Sequence, residues 1–184
     1  RFFSRPSEAM SVTGITGTNG KTTTAWLVTQ AIVRLGGSAG YVGTLGHGLN
    51  GQLRAGELTT PDCISFHRQL RELADEGATH VVAEVSSHAL DQERVAGVRF
   101  ATVAFTNLTR DHLDYHPDLA AYGAAKARLF AAGAGTAVIN LDDAFGRELA
   151  AHLPAGTRLL GVTLAGASSA TLTGALVALG AGGP

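Results

Sequence analysis

The stretch "GITGTNGKTTTAW", residues 14–26, decides the fold. A β-branched run leads into it, and a helical pattern begins at Lys21. A glycine-rich turn of this kind, closed by Lys-Thr, is typical of a loop that binds nucleotide phosphates. The common loop has the pattern G-x-x-x-x-G-K-[ST], which needs a glycine where this chain has Ile15. The glycines stand at Gly14 and Gly17 instead, so the sequence predicts a phosphate-binding loop of a different spacing.

In such a loop, residues 17–20 present backbone N–H groups to phosphate oxygens, and the N-terminus of the following helix adds its positive dipole. Lys21 reaches the β- and γ-phosphates, and the Thr22 hydroxyl binds Mg²⁺. The alternative is a glycine-rich turn that only caps an ordinary helix. The strand before it, the helix after it and the Lys-Thr pair favour the phosphate-binding loop.

The composition indicates one globular domain with a core. The chain has 184 residues, of which 45% are hydrophobic and 16% charged. A net charge of −1 and a pI near 6.7 give no sign of a nucleic-acid-binding surface. The lone cysteine, Cys63, excludes an internal disulfide framework. No apolar run approaches about 20 residues, so no membrane span is expected.

Strand and helix patterns alternate along the chain, and the strands are continuous apolar runs. Both features predict an α/β fold, a mostly parallel sheet flanked by helices. The predicted strands are 11–16, 38–48, 79–87, 100–108, 136–143 and 157–164; the predicted helices are 21–36, 59–77, 117–133 and 144–153, with a hairpin or loop at 50–57.

Polar clusters follow several of these strands. They lie at 17–22, 86–88, 107–114 and 140–143. Ligands of parallel α/β sheets bind beyond the carboxyl ends of the strands, so we expect these clusters to meet in one site.

Glu84 is a carboxylate near the end of the otherwise apolar strand "VVAEVSS". A buried carboxylate is costly unless it is paired or binds a metal. Glu84 is therefore predicted to be a Mg²⁺ ligand, and a buried salt bridge is the alternative.

The segment "TNLTRDHLDYH", residues 106–116, combines amide, carboxylate and imidazole groups after the next strand: Asn107, Asp111, His112, Asp114 and His116. Such a mixture suits a divalent metal or a substrate. A cluster of helix caps and turn residues is the alternative.

Lys126 is one of only two lysines in the chain and lies within the predicted helix "AAYGAAKARLFAA". A surface lysine that extends its amine to solvent is one interpretation. The other is a buried lysine, because burial favours the neutral amine. A neutral amine adds CO₂ to form a carbamate, an anion able to hold Mg²⁺.

The motifs "GITGTNGKTTT", "TTPD", "EVSSHALDQERV", "FTNLTRDHLDYH", "AAKARLF" and "NLDD" occur in this order over roughly residues 10–165. Together they resemble the central ATP-binding domain of the Mur ligases, a P-loop NTPase-like α/β domain. The forms "TTPD", "VSSHAL" and "DHLDYH" most resemble the branch that adds the third peptide residue. Folylpolyglutamate synthases and other Mur ligases share the loop and the lysine and remain alternatives, as does a non-catalytic nucleotide-binding fragment.

The resemblance implies roles for individual residues. ATP is expected at Gly17, Thr18, Asn19, Gly20, Lys21, Thr22, Thr23 and Asn140; the metal at Thr22, Glu84, His112 and carbamylated Lys126; and the UDP-muramoyl peptide at Thr59, Thr60, Ser86, Gln92 and Arg94. Lys21, Lys126 and His112 are the expected catalytic residues. Some relatives have an asparagine before the two threonines, where this chain has Leu58.

The resemblance also implies the reaction and its setting. The expected substrates are ATP with Mg²⁺, UDP-N-acetylmuramoyl-L-Ala-D-Glu and an amino acid, either meso-diaminopimelate or L-lysine. A cytoplasmic monomer is expected. Residues 1–10 are expected to be the linker from an N-terminal domain, and residues 11–184 a central domain lacking part of its C-terminal end. We expect the C-terminal domain of the family to be missing from this sequence, and we therefore expect this chain alone to show little or no ligase turnover.

Overall fold

The computed structural model describes residues 3–110, 115–166 and 170–174. The strands are β1 (Ser11–Thr16), β2 (Ala39–Gly43), β3 (Gly46–Leu49), β4 (Gln52–Arg54), β5 (His80–Glu84), β6 (Thr102–Phe105), β7 (Thr136–Asn140), β8 (Arg158–Thr163) and β9 (Leu172–Thr173). The helices are α1 (Lys21–Arg34), α2 (Cys63–Asp75), α3 (Ser87–Asp91), α4 (Leu119–Ala131) and α5 (Ala144–Ala151), and a 3-10 turn at Pro6–Glu8 comes before β1.

The strands of the described residues form one sheet in the order β4-β3-β2-β5-β1-β6-β7-β8-β9. β1 is central and pairs in parallel with β5 and with β6. Only the β2–β3 and β3–β4 pairs are antiparallel, at one edge of the sheet. The predicted α/β fold with a mostly parallel sheet is therefore confirmed.

Three predicted segments differ from the observed elements because of local turn and cap chemistry. The region 38–48, predicted as one strand running into a loop, holds β2 and the returning strand β3. Asn50 and Gly51 then turn the chain into β4, both with positive φ, as in a tight two-residue hairpin. The helix predicted at 59–77 begins only at Cys63, because the Asp62 carboxylate caps it.

The segment 79–87, predicted as one strand, ends its strand at Glu84 and then begins α3, which the apolar pattern did not indicate. The Ser86 hydroxyl caps this helix by accepting from the Ala89 N–H. Ile64, in the first turn of α2, is exposed. Asp111, His112 and Asp114 lie outside the described residues.

The helices cover the two faces of the sheet unequally. α1 covers one face, where Ala25 and Trp26 pack on Ile15, Tyr41 and Val82. The other face is covered by apolar side chains of α2, α3, α4 and α5. Odd-numbered residues of β1 therefore point to α1, and even-numbered ones point to the other helices.

Four loops leave the carboxyl edge of this sheet next to one another. They follow β5, β1, β6 and β7, which are four consecutive strands of the sheet. These are the loops that carry the polar clusters, so the described residues of the clusters lie together at one edge of the sheet, as predicted. No helix among the described residues is long and apolar enough to cross a membrane.

Candidate functional site

The glycine-rich loop joins β1 directly to α1. Gly17 has φ +146°, and a Cβ there would collide with the Thr106 hydroxyl. Gly20 is left-handed at the N-cap of α1. The first hydrogen bond of α1 runs from the Thr24 N–H to Gly20 O (2.9 Å), so the N–H groups of residues 20–23 precede it. A helix end with these exposed dipoles is an anion-binding arrangement.

The loop after β6 holds the glycine-rich loop in place. Asn107 accepts the Thr18 N–H on its backbone oxygen (2.8 Å) and the Asn19 N–H on its side-chain oxygen (3.0 Å). The Thr106 hydroxyl donates to Asn19 O (2.7 Å), and the Tyr122 hydroxyl donates to Thr18 Oγ1 (3.2 Å). Two of the N–H groups predicted to face phosphate are therefore bonded to Asn107, which leaves the start of α1 as the cradle.

Lys21 and the threonines after it occupy the first turn of α1. The Lys21 amine donates to the Gly17 and Thr18 carbonyls, at 3.0 Å and 2.9 Å, and so lies against the loop. The Thr22 hydroxyl points into the site, and Thr23 is exposed.

Glu84 is completely buried at the end of β5. Its Oε2 accepts from the Thr22 hydroxyl (2.8 Å) and the Thr44 hydroxyl (3.2 Å). Its Oε1 accepts from the Thr44 N–H (2.9 Å) and from the Tyr41 hydroxyl. Burial raises the pKa of the Tyr41 phenol, and the hydrogen bond to Glu84 raises it further. Within the described residues no ion pair reaches Glu84, so the salt-bridge alternative finds no support there.

Lys126 is buried with 1% of its surface exposed, which decides against the surface interpretation. Its amine donates to Gly17 O (2.9 Å), so α4 is tied to the glycine-rich loop. The amine also lies 4.1 Å from the centre of the Tyr122 ring. The second lysine of the chain therefore reaches the same loop as the first, from the other face of the sheet.

A cavity of about 300 Å³ opens beside the glycine-rich loop. It brings together Lys21 and four of the five residues predicted to bind the muramoyl peptide. Its lining residues are Lys21, Leu58, Thr59, Thr60, Ser86, His88 and Arg94. Leu58, the departure from some relatives, thus contributes an apolar side chain to this cavity.

Hydrogen bonds fix the walls of this cavity. The buried Thr60 hydroxyl donates to Glu84 O (2.8 Å) and accepts the Ser86 N–H (3.1 Å). Arg94 donates to Thr60 O (2.9 Å) and through two nitrogens to the side-chain oxygen of Gln92, at 3.0 Å and 2.6 Å. Gln92 is therefore placed against Arg94 rather than in the lining.

Asn140, predicted to bind ATP, ends β7 and contacts two loops. Its side-chain nitrogen donates to Thr106 O (2.8 Å), and its side-chain oxygen accepts the Asp142 N–H (3.0 Å). Asn140 thus supports the loop that in turn supports the glycine-rich loop.

The predicted metal ligands are only partly described. His112 lies outside the described residues, and within residues 3–110, 115–166 and 170–174 no group of three or more His, Cys, Asp or Glu side chains is placed to hold a metal. The oxygens of Thr22 and Glu84 form the described part of the predicted set. Mg²⁺ usually takes one or two protein carboxylates and completes its shell with water and phosphate, so a single buried carboxylate beside a hydroxyl fits it.

Sequence reasoning missed two residues of the site, Tyr41 and Thr44, and gave no role to His88 within the cluster 86–88. Tyr41 pairs with Val82 in the parallel register of β2 and β5, so it shares a face with Glu84, two residues further along. This relation depends on which strands are neighbours, which the sequence does not state. His88 follows the singled-out Ser86 by two residues, and the onset of α3 turns it to the cavity.

The chain is similar to known proteins over most of its length. Residues 15–172 match the Mur ligase middle domain. The UDP-N-acetylmuramoyl-L-alanyl-D-glutamate–2,6-diaminopimelate ligase of Xanthomonas campestris pv. campestris (strain 8004) is 54% identical over 172 residues, which are 93% of this chain and 35% of that protein. The enzyme of the same name from Alkalilimnicola ehrlichii is 53% identical over 175 residues, 95% of this chain and 35% of that protein.

Solved structures agree with these relatives. The structure of a UDP-N-acetylmuramoyl-L-alanyl-D-glutamate–2,6-diaminopimelate ligase superposes with a TM-score of 0.78 at 37% identity, covering 86% of this chain and 33% of that one. The folylpolyglutamate synthase of Mycobacterium tuberculosis, complexed with ADP and AMPPCP, has a TM-score of 0.70 at 17% identity, covering 88% of this chain and 45% of that one, which shows a shared fold. The chain spans about a third of the length of the curated relatives. With its middle domain matched over 158 residue positions from 15 to 172, the chain belongs to the Mur ligase family.

Proposed function

We propose that this chain carries the ATP site and the acceptor site of a ligase that joins 2,6-diaminopimelate to UDP-N-acetylmuramoyl-L-Ala-D-Glu. The observation that carries the proposal is the position of Lys21. It lies against the glycine-rich loop and also lines the cavity formed by Thr59, Thr60, Ser86 and Arg94. A phosphate bound at the start of α1 and a carboxylate bound in the cavity would meet at this amine.

The reaction proceeds in two steps. The free carboxylate of the D-Glu arm attacks the γ-phosphorus of ATP, the bond to the β-phosphate oxygen breaks, and ADP and an acyl phosphate result. The amine of the incoming amino acid then attacks the acyl carbon, loses its proton and expels phosphate, which leaves the amide. Lys21 offsets the charge of the transferring phosphoryl group. The protein contributes mainly by positioning the reactants.

The cation is proposed to be held by Thr22, Glu84, His112 and the carbamate of Lys126. Bound Mg²⁺ supplies positive charge against the phosphate oxygens. The oxygen donors at the described part of this site, 2.8 Å apart, suit a hard cation. Glu84 keeps its orientation through four hydrogen bonds, so no reorganisation of the carboxylate is needed when the nucleotide binds.

Lys126 is proposed to carry the carbamate, formed when its neutral amine adds CO₂ and loses a proton. Its burial supports this role, because a buried amine favours the neutral form that reacts. The hydrogen bond to Gly17 O places the amine beside the nucleotide loop. A carbamate there is an oxygen donor on the face of β1 opposite to Glu84.

The acceptor peptide is proposed to bind in the cavity beside Lys21. Arg94 offers a guanidinium group to a carboxylate or phosphate of the acceptor. Ser86 and Thr59 offer hydroxyls, and Gln92 orients Arg94. The choice of 2,6-diaminopimelate over L-lysine rests on the names of the relatives. Such an enzyme works on cytoplasmic precursors, and we propose that location for this one.

The test uses the full-length protein that contains this chain. Phosphate release is followed with ATP, Mg²⁺ and UDP-N-acetylmuramoyl-L-Ala-D-Glu, and 2,6-diaminopimelate or L-lysine is added in turn. We expect release that depends on both the muramoyl dipeptide and diaminopimelate. Phosphate release with L-lysine but not with diaminopimelate would show that L-lysine is the amino acid that is added. Release with a folate and glutamate, or ATP binding without any release, would overturn the proposed reaction.

A further inference from the structure

Tyr41 reaches the Glu84 carboxylate through the core of the protein. Its side chain is completely buried, and its ring packs edge-on against Trp26, with centroids 5.7 Å apart and an interplanar angle of 86°. Its hydroxyl donates to Glu84 Oε1. The phenol is therefore buried on the face of the sheet that α1 covers and does not line the cavity beside Lys21.

The two oxygens of Glu84 share Thr44 as one donor and differ in the other, which is Tyr41 for Oε1 and Thr22 for Oε2. The donors to Oε1 are the Tyr41 phenol and the Thr44 N–H, and both lie on the β2 side. The donors to Oε2 are the hydroxyls of Thr22 and Thr44, which keep lone pairs of their own. Oε2 is thus the oxygen that faces the nucleotide loop.

Gly43 makes room for this arrangement. A Cβ at that position would collide with Glu84 Oε1 and would stand 2.5 Å from the Tyr41 hydroxyl. The strand β2 therefore has no side chain at the point where the phenol and the carboxylate meet. The terminal torsion of a glutamate is broad, so hydrogen bonds decide the plane of its carboxylate.

We propose that Tyr41 is a positioning residue for the cation site: by occupying Oε1 it fixes the Glu84 carboxylate with Oε2 toward Thr22 and the nucleotide loop. This inference rests on the proposed metal role of Glu84. Loss of the phenol leaves the carboxylate in place but lets it rotate. The affinity of the site for the cation then falls, although no ligand has been removed.

The test measures cation binding in the full-length protein, with and without Tyr41→Phe. Mn²⁺ binding in the presence of ADP is followed by the loss of the free Mn²⁺ resonance signal, and the Mg²⁺ concentration that gives half-maximal phosphate release is measured in parallel. A hydrogen bond to a charged group is strong enough that its loss should weaken the binding of Mn²⁺ on the order of tenfold. The Mg²⁺ concentration for half-maximal phosphate release should rise by a similar factor. The KM for the muramoyl dipeptide should stay within about twofold, because Tyr41 does not line its cavity.

Two comparisons separate positioning from general damage. Phe66→Leu, a change in the core on the other face of the sheet, should lower the melting temperature and leave Mn²⁺ binding unchanged. In a Glu84→Gln background, Tyr41→Phe should add no further loss, because coupled residues are not additive. Gly43→Ala disturbs the same contact while keeping the phenol and gives the same readout should Tyr41→Phe fail to fold.

The outcomes distinguish this inference from the proposed function. If Glu84→Gln leaves Mn²⁺ binding unchanged, the metal role of Glu84 is wrong. If Glu84→Gln weakens Mn²⁺ but Tyr41→Phe does not, only the positioning role of Tyr41 is overturned. Full additivity of Tyr41→Phe and Glu84→Gln would also overturn it.

Discussion

Glu84 and Lys126 are two buried charged residues at the carboxyl edge of the sheet, and their surroundings differ. Glu84 accepts four hydrogen bonds from neutral donors, all on the side of the sheet that α1 covers. Lys126 comes from α4 on the other side, donates to Gly17 O and lies over the Tyr122 ring. Glu84 is thus a carboxylate surrounded by hydrogen-bond donors. Lys126 is an amine that lies between a carbonyl oxygen and the face of an aromatic ring.

The difference shows how each residue can serve a cation. The Glu84 site already presents an anionic oxygen beside Thr22 and needs no chemical change. A protonated Lys126 amine presents only N–H donors, which oppose a cation. In the proposed mechanism Lys126 joins the cation site as a carbamate, after its neutral amine has added CO₂. Activity should therefore depend on CO₂ through Lys126 and on hydrogen-bond geometry through Glu84.

The largest effect is expected from Lys126→Met. Methionine fills the buried space but cannot form a carbamate, so turnover of the full-length protein should fall by roughly 100- to 1,000-fold, as when one preorganised electrostatic group is lost. With ¹³C-labelled bicarbonate, the wild-type protein should show a carbamate carbon signal that the variant lacks. Gentle mass spectrometry should show the added mass of one CO₂ on the peptide that contains Lys126.

Lys126→Arg sharpens this test, because it keeps the positive charge and cannot be carbamylated at ordinary pH. We expect it to be as inactive as Lys126→Met. Arg128→Met, two residues further along the same helix, removes a half-exposed side chain paired with Asp91 and should change turnover by no more than about twofold. Full activity of Lys126→Arg, with no carbamate signal in the wild type, would show that the lysine acts as a cation.

Gly43→Ala should have the next largest effect, and it acts on the Glu84 side alone. The added methyl group must displace the carboxylate or the phenol, so the Mg²⁺ requirement should rise on the order of tenfold, with a stability loss of about 1–3 kcal/mol from overpacking. Gly40→Ala is the matched control, since its methyl group meets Leu73 on the opposite face of β2. It should cost similar stability in a thermal melt and leave the Mg²⁺ requirement unchanged. An equal Mg²⁺ shift in both variants would mean that strand packing, rather than carboxylate geometry, sets the requirement.

The contrast between Glu84 and Lys126 also marks how far sequence reasoning reaches. Glu84 stood out because a carboxylate interrupts an apolar strand, and the site at the carboxyl edge followed from the parallel sheet. The loop "GTNGKT" fixed the strand-to-helix turn and the position of Lys21. These features are local, or depend on a rule that holds for all parallel sheets.

The partners of these residues depend on tertiary neighbours. That Tyr41 reaches Glu84 requires β2 to lie beside β5, although 36 residues lie between the end of β2 and the start of β5. The sequence left the burial of Lys126 open, because its immediate neighbours Ala125 and Ala127 are small and suit either a buried or an exposed side chain. The use of the Thr18 and Asn19 N–H groups by Asn107 likewise depends on β1 lying beside β6. Residue types predicted the chemistry, and strand order decided which groups meet.

The smallest effect concerns Asp142, a carboxylate that accepts the same kinds of donors as Glu84 but lies at the surface. It accepts the Thr163 hydroxyl and the Leu164 N–H (2.7 Å), and these hydrogen bonds, the Thr163 one first, lower the pKa of Asp142. Because its folded pKa lies below the unfolded value of about 3.9, its stabilising contribution is present above that pH and is lost as the pH falls toward the folded pKa.

Asp142→Asn should therefore lower the melting temperature of the chain slightly at neutral pH, and the difference from the wild type should shrink as the pH falls below about 4. Thermal melts between neutral pH and the onset of acid unfolding would measure it. Asp62→Asn makes a useful comparison, because hydrogen bonds from Ser65 also lower the pKa of Asp62, at the start of α2. If the difference in melting temperature between Asp142→Asn and the wild type stays constant with pH, Asp142 acts through the shape of its side chain. If this difference in melting temperature disappears as the pH falls, hydroxyl and N–H donors stabilise a carboxylate even at the surface. The buried Glu84 would then differ from Asp142 in its exclusion of water rather than in the kind of its donors.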